Sequence, residues 1–364
     1  MNYSVSDLMP SIRNALQCLD VQSGEEASIL RETTTEQVIV DAFASGLRYV
    51  GAKVTILEVE PNLMGGLDYA RYPKAVEEAL LSSDLAVALS TFPLHHTGTG
   101  DRLEDGIGLK KGGKQFPLRY LDTIGMSKAE ALRTSGRFPT QLFWEIMKRV
   151  MRKLSEGKDL RFTDQRGTEL TAKIRPQKYS PLAPRTRPMQ KSEFLTWPFG
   201  AWVTHDMVQC DGLLNWDGCV PFGLFDQPIR LTIEGGLATK IEGGHDAKML
   251  KDYIKGIENS TYIPELGIGL NPWSRRFVGE PNGIHEMTRR SGNCLLAMGA
   301  GHIPERFGKS HLDGLFRDQT VYVEDEVFVK DGRVAIFDDP DLREFARQYG
   351  DPDTIFSPLG YLYF

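Results

Sequence analysis

The chain has 364 residues, 41% hydrophobic and 25% charged, with a formal net charge of −6. That length exceeds what one core ordinarily serves, so two domains are expected. The mildly acidic balance argues against a nucleic-acid or anionic-membrane partner, and the absence of a long apolar run argues against a spanning helix.

In chain order, the opening "MNYSVSDLMPSIRNALQCLD" has apolar residues at helical period and predicts an amphipathic helix rather than a signal peptide. "TEQVIVDAFASGLRYVGA" (35–52) repeats that period, and "KVTILEVE" (53–60) is a β-branched strand. "YPKAVEEALLSSD" (72–84) predicts a helix leading into the buried strand "LAVALST" (85–91). This βαβ rhythm implies a parallel sheet covered by helices. The Gly-rich "GTGDRLEDGIGLKKGGK" (98–114) lacks G-x-G-x-x-G or Walker spacing and is expected to be a connecting loop or lid. "PTQLFWEIMKRVMRKLSEGK" (139–158) carries the strongest helical pattern and should end at Gly157.

The character then changes. "DLRFTDQRGTELTAKI" (159–174) and "IRLTIEGGLATKIEGG" (229–244) predict hairpins turning at Gln165–Arg166–Gly167 and at Gly235–Gly236. "DAKMLKDYIKGIEN" (246–259) predicts a helix capped by Asp246, and "TVYVEDEVFVKDGRVAIF" (320–337) supplies further antiparallel strands. The expected fold class is α/β plus α+β: an N-terminal βαβ-type domain over residues 1–158, then a β-rich domain over 159–364.

The chemistry concentrates in that second half. In "GKSHLDGLF" a strand sends His311 and Asp313 to one face and Leu312 to the other. Charged groups are seldom sent inward without a partner, so either a cation or a mutual hydrogen bond must hold this pair. Glu193 in "QKSEFLTWP" and Glu265 in "YIPELGIGLNP" sit in apolar settings where an isolated carboxylate is costly to ionise. Two carboxylates, one aspartate and one imidazole suit a hard or borderline divalent ion such as Fe2+, Mn2+, Zn2+ or Co2+. No G-x-S-x-G elbow supports a serine nucleophile. Cys18, Cys210, Cys219 and Cys294 have no C-x-x-C spacing, so a zinc knot or disulfide framework is not expected and a cytoplasmic, reducing location is the default.

Four segments in order, "KSEFLTWP", "LTIEGGLATKIEGG", "PELGIGLNP" and "HLDGLFRDQTVYVED", resemble the metal domain of the aminopeptidase T family. The resemblance implies metal-binding roles for Glu193, Glu265, His311 and Asp313. The same fold is shared by the 2,5-dihydroxypyridine 5,6-dioxygenases, mononuclear non-haem iron enzymes that open a pyridine ring. The peptidases carry a further metal-binding histidine in the segment similar to "GNCLLAMG" (292–299), and alignment puts Leu295 there. The dioxygenase triad is two histidines and an aspartate, and Glu265 stands where its first histidine belongs.

Other residues are candidates for substrate or proton handling. His302 in "MGAGHIPERFG" is a candidate ligand or acid/base, because an unperturbed imidazole titrates near neutrality. His95 and His96 follow a buried strand of the first domain, where ligands gather in open α/β sheets. Arg185 and Arg187 suit a substrate carboxylate, and Trp197, beside Phe199 and Trp202, suits stacking on a ring. The reading favoured is an Fe2+-dependent dioxygenase-like enzyme cleaving a small aromatic or heteroaromatic ring. The alternative is an aminopeptidase-like metallohydrolase using Mn2+, Zn2+ or Co2+, and the third is a relative without catalysis. Both families imply a homodimer or larger homo-oligomer acting on a small molecule, and the apolar tail "SPLGYLYF" (357–364) should dock against protein.

Overall fold

A computed structural model of the chain describes residues 3–61, 71–91, 93–107, 116–123, 129–154, 158–175, 186–198, 200–204, 207–220, 222–275, 283–299, 310–358 and 360. The chain forms two compact units. The first comprises Met1–Trp144, Pro184–Phe199 and Leu359–Phe364, and the second Glu145–Ala183 and Gly200–Pro358. The division therefore differs from a single cut at residue 158, because one later strand returns to the first unit.

The first unit opens with α1 (Val5–Leu19), started by a reciprocal cap. The Ser4 hydroxyl accepts from the Asp7 amide, and the Asp7 carboxylate accepts from the Ser4 amide. Its stripe of Leu8, Ile12, Ala15 and Leu19 is buried, as the periodicity requires. There follow β1 (Glu26–Glu32), α2 (Gln37–Tyr49), β2 (Lys53–Val59), α3 (Lys74–Leu81), β3 (Leu85–Leu89), α4 (Gly98–Gly106), β4 (Arg119–Thr123), α5 (Ala129–Leu132) and α6 (Thr140–Leu154), whose residues from Glu145 onward belong to the second unit. After β5 (Asp159–Thr163) and β6 (Glu169–Ile174) of the second unit, β7 (Glu193–Trp197) completes the first unit's sheet. The five strands run in the order β2-β1-β3-β4-β7, all parallel.

β1 lies between the opening helix and residue 35, a stretch for which the sequence predicts no element, because glutamates at both ends of "EASILRE" mask its buried centre. The Gly-rich stretch also departs from expectation, since 98–106 is the helix α4 rather than a loop. The Thr97 hydroxyl caps it by accepting from the Gly100 amide. Gly100 is required by contact, not freedom: a Cβ there would lie 2.1 Å from the Leu94 carbonyl oxygen. Residues 108–114, the remainder of the stretch read as a lid, lie outside the described residues, as does Gly157.

In the second unit the hairpin β5–β6 turns at Gly167, whose φ of +91° only glycine adopts readily. The remaining elements are β8 (Ala201–Thr204), β9 (Met207–Cys219), β10 (Gly223–Glu234), β11 (Leu237–Glu242), α7 (His245–Ile254), β12 (Glu265–Gly269), α8 (Gly283–Arg289), β13 (Cys294–Gly299), β14 (His311–Phe316), β15 (Thr320–Val323), β16 (Glu326–Lys330), β17 (Arg333–Val334), α9 (Pro340–Ala346) and α10 (Pro352–Ile355). Among the described residues they form a 12-stranded sheet in the order β17-β16-β15-β5-β6-β9-β14-β13-β12-β8, with β10 and β11 branching from β9. Its pairings are antiparallel, which suits hairpin connections. Asp246 is not the cap of α7. Gly244 occupies that position without a side-chain bond, and the Asp246 carboxylate accepts instead from the Asp226 amide. No described helix is long and apolar enough to cross a membrane.

Candidate metal centre

Three neighbouring strands build the site. β12, β13 and β14 are buried along nearly their whole length, so their sequences "ELGIG", "CLLAMG" and "HLDGLF" read as apolar runs broken by a few ionisable groups. Register decides which side chains meet. Glu265 pairs with Ala297, and Ala297 pairs with Asp313, so the three form a row across the sheet on one face. Strands spaced about 4.8 Å apart put the outer backbones roughly 10 Å from each other. The alanine methyl between them leaves room for the two carboxylates to lean together. His311, two residues before Asp313, joins from the same face and pairs with Gly299. A Cβ on Gly299 would lie 2.1 Å from the Ser310 carbonyl oxygen, and its φ is +116°, so this position too is reserved for glycine.

The side chains converge. His311 Nε2 lies 3.0 Å from Asp313 Oδ1 and 3.4 Å from Glu265 Oε2. One donor atom from each of Glu265, His311 and Asp313 lies within 4.8 Å of the others. Glu265 and Asp313 are each only 7% exposed, and ionised carboxylates so deeply placed need positive charge at hand. Burial opposes a charged imidazole, but the charges and hydrogen bonds of Asp313 and Glu265 outweigh it and hold His311 well above its ordinary range. A proton on His311 supplies one positive charge, and a divalent ion supplies two.

Bond lengths provide the test of fit. Donors about 2.1 Å from an ion and at right angles to one another stand about 3 Å apart, and opposed donors about 4.2 Å apart. The separations around His311 match the former, so the residues present fit a divalent cation bound by one imidazole and two carboxylates.

The sequence reading missed one neighbour. His285, on α8, is 5% exposed and places Nδ1 3.3 Å from Asp313 Oδ2. Helix α8 packs against β12, β13 and β14. The segment "GIHEMTR" gives only the faint signal of a histidine among apolar helix positions, and nothing local says which face is covered.

The other candidates are placed differently. Glu193 begins β7 of the first unit, where Arg187 approaches its carboxylate at 2.8 and 3.2 Å and the Gln190 amide donates to it at 2.6 Å. That pairing holds the Glu193 carboxylate and gives Arg187 an intramolecular carboxylate. Trp197 is 1% exposed, edge-on to Phe43 with ring centroids 6.1 Å apart, so packing accounts for it. His95 lies beyond the end of β3, with its Nδ1 2.6 Å and its amide 2.9 Å from Asp122 Oδ2. His96 follows in the same turn. Arg185, His205 and His302 lie outside the described residues.

The chain is similar to proteins of known activity and structure. Over 365 aligned residues the chain is 25% identical to 2,5-dihydroxypyridine 5,6-dioxygenase of Pseudomonas putida KT2440, covering 92% of this chain and 97% of that protein. The solved structure of the 2,5-dihydroxypyridine dioxygenase from Pseudomonas putida KT2440 superposes with a TM-score of 0.73 at 21% identity, covering 94% of this chain and 99% of the other. Wild-type AmpT from Thermus thermophilus superposes with a TM-score of 0.59 at 12% identity over 91% of this chain and 99% of the other, which is a likeness of fold. The model of the 2,5-dihydroxypyridine 5,6-dioxygenase (NicX) family matches residues 7–336, and the chain is an enzyme belonging to that family.

Proposed function

We propose that the protein is a mononuclear metal-dependent dioxygenase that opens a small aromatic or heteroaromatic ring with O2, with Fe2+ as its ion. One observation carries the reading: an imidazole and two carboxylates from the two strands that flank β13, with donor atoms mutually within 4.8 Å, on a protein of a dioxygenase family. Glu265, His311 and Asp313 would hold the ion, and a set of one imidazole and two carboxylates suits ferrous iron. The row beside Ala297 supports a single ion. Leu295 occupies it, paired with Gly267 and Leu315, and provides apolar surface where a second ion would need a ligand.

When bound, ferrous iron supplies the electron exchange with O2 that protein side chains lack. The chain's residues supply the rest. Ionised Glu265 and Asp313 would balance the ion's charge, and the ring nitrogen of His311 that faces them would be its third donor. Leu295, 6% exposed in the row beside Ala297, offers an apolar contact for a ring. A metallohydrolase of the aminopeptidase kind is the second reading. It is favoured by Glu265, a carboxylate where the dioxygenase triad has a histidine.

Metal content and oxygen dependence separate the two. Full-length protein reconstituted with Fe2+ is expected to hold about one ion per chain and to consume O2 with 2,5-dihydroxypyridine or a close analogue. Two Mn2+, Zn2+ or Co2+ ions per chain with amide cleavage under nitrogen would replace the dioxygenase reading with the hydrolase.

A further inference from the structure

We infer that His285 is a positioning residue for the proposed metal ion: its Nδ1–H holds Asp313 Oδ2 so that Oδ1 faces the ion. The inference rests on the metal reading above.

Asp313 is fixed at three points. Its backbone is paired in β14, and its carbonyl accepts from the Val220 amide at 2.9 Å. Its two carboxylate oxygens then face different imidazoles. Oδ1 faces His311 Nε2 at 3.0 Å, within the group of three converging donors, and Oδ2 faces His285 Nδ1 at 3.3 Å. An ion accepting Oδ1 takes the place of the His311 proton and leaves Oδ2 with His285. A carboxylate held by one oxygen cannot swing to bind through both, so the site keeps a single-oxygen ligand and an open coordination position.

His285 is itself held firmly. The Thr288 hydroxyl donates to its carbonyl at 2.9 Å, and the Asn293 side chain donates to the Met287 carbonyl at 2.7 Å, closing the end of α8. At the helix start Ile284 lies against Gly218, where an added Cβ would come within 3.0 Å of Ile284 Cδ1. Gly218 pairs with Leu315 of β14, two residues beyond Asp313. The added Cβ would also lie 2.5 Å from the Gly223 carbonyl oxygen and 2.9 Å from the Leu224 Cα, so β10 and α8 both close over this glycine beside β14. Carboxylates that bind metals are commonly oriented by such outer partners, and loss of one weakens metal binding about 10- to 100-fold.

The test compares two amides that differ in where they place a donor. The asparagine of His285→Asn can put its N–H near the position of Nδ1, whereas the longer glutamine of His285→Gln puts it near the position of Nε2. Metal-free full-length protein would be titrated with Co2+, following affinity and the visible absorption of the bound ion, with thermal melts to confirm folding. His285→Asn is expected to stay within about threefold of wild type with the same spectrum. His285→Gln and His285→Leu should bind roughly 10- to 100-fold more weakly with an altered band. His245→Asn, on the exposed start of α7, serves as the unchanged control. Equal affinity in wild type and His285→Gln would overturn the inference. Equal loss in His285→Asn and His285→Gln would also overturn it and make His285 a ligand. Failure of wild type to bind any divalent ion would remove the metal reading itself, and this inference with it.

Discussion

Each unit contains a buried histidine–aspartate pair, and the two are built differently. In the first unit His95 and Asp122 come from different segments, and a single carboxylate oxygen takes both the ring nitrogen and the amide of the histidine. In the second, His311 and Asp313 lie two residues apart on one strand, and Glu265 brings a second carboxylate to the same imidazole. One carboxylate per imidazole makes a closed ion pair or hydrogen bond. Two carboxylates converging on one imidazole, with His285 at the outer oxygen of Asp313, gather three donor atoms at one point, which is the arrangement a cation site needs. Among the described residues, the only group of donors suited to a metal is the second.

The largest expected effect comes from emptying the second pair. Asp313→Ala, His311→Ala or Glu265→Ala should each lower Co2+ or Fe2+ affinity by at least about a hundredfold, read by titration of the metal-free protein. Retention of wild-type metal content in any of them would put the ion elsewhere. Asp122→Ala tests the first pair. It strands a buried amide and imidazole and should cost about 3 kcal/mol in denaturant unfolding, with metal affinity unchanged in the folded protein. A drop in metal affinity there would erase the distinction between the pairs.

Ala297→Leu sharpens the geometric point. Its side chain would stand between Glu265 and Asp313, and an overpacking cost near 2 kcal/mol corresponds to metal affinity lower by roughly thirtyfold. The metal-free protein should also show a specific pH dependence. His311 is raised above 6.5 in the folded state, so its contribution to stability is complete below that value and lost as pH rises through the folded pKa. Melting temperature should therefore fall from near pH 6.5 into the alkaline range, and His311→Gln should flatten that slope. A wild-type slope no steeper than the variant's would mean that the carboxylates do not charge this imidazole. The smallest effect is expected at Arg187, which is 44% exposed: Arg187→Ala should cost about 0.5 kcal/mol and leave metal content intact. Loss of metal in that variant would restore Glu193 to the site.

Much of this was legible beforehand where one segment contains its own answer. Period-2 alternation alone puts His311 and Asp313 on one face, glycine pairs mark the hairpin turns, and helical stripes locate α1, α2, α3 and α6. β1 was hidden by its terminal glutamates. α4 was hidden because its glycines serve contact with a neighbouring turn, which composition cannot distinguish from flexibility.

What the sequence by itself determined is local: side-chain direction along a strand, the length of a helix, and the residue types able to hold a divalent ion. Tertiary structure alone decided the partners. Antiparallel register put Glu265 and Asp313 on either side of Ala297, parallel pairing with β4 returned Glu193 to the first unit, and the packing of α8 brought His285 to Asp313. Those contacts join residues 16 to 74 positions apart, and no local periodicity encodes which distant strand or helix a segment will meet.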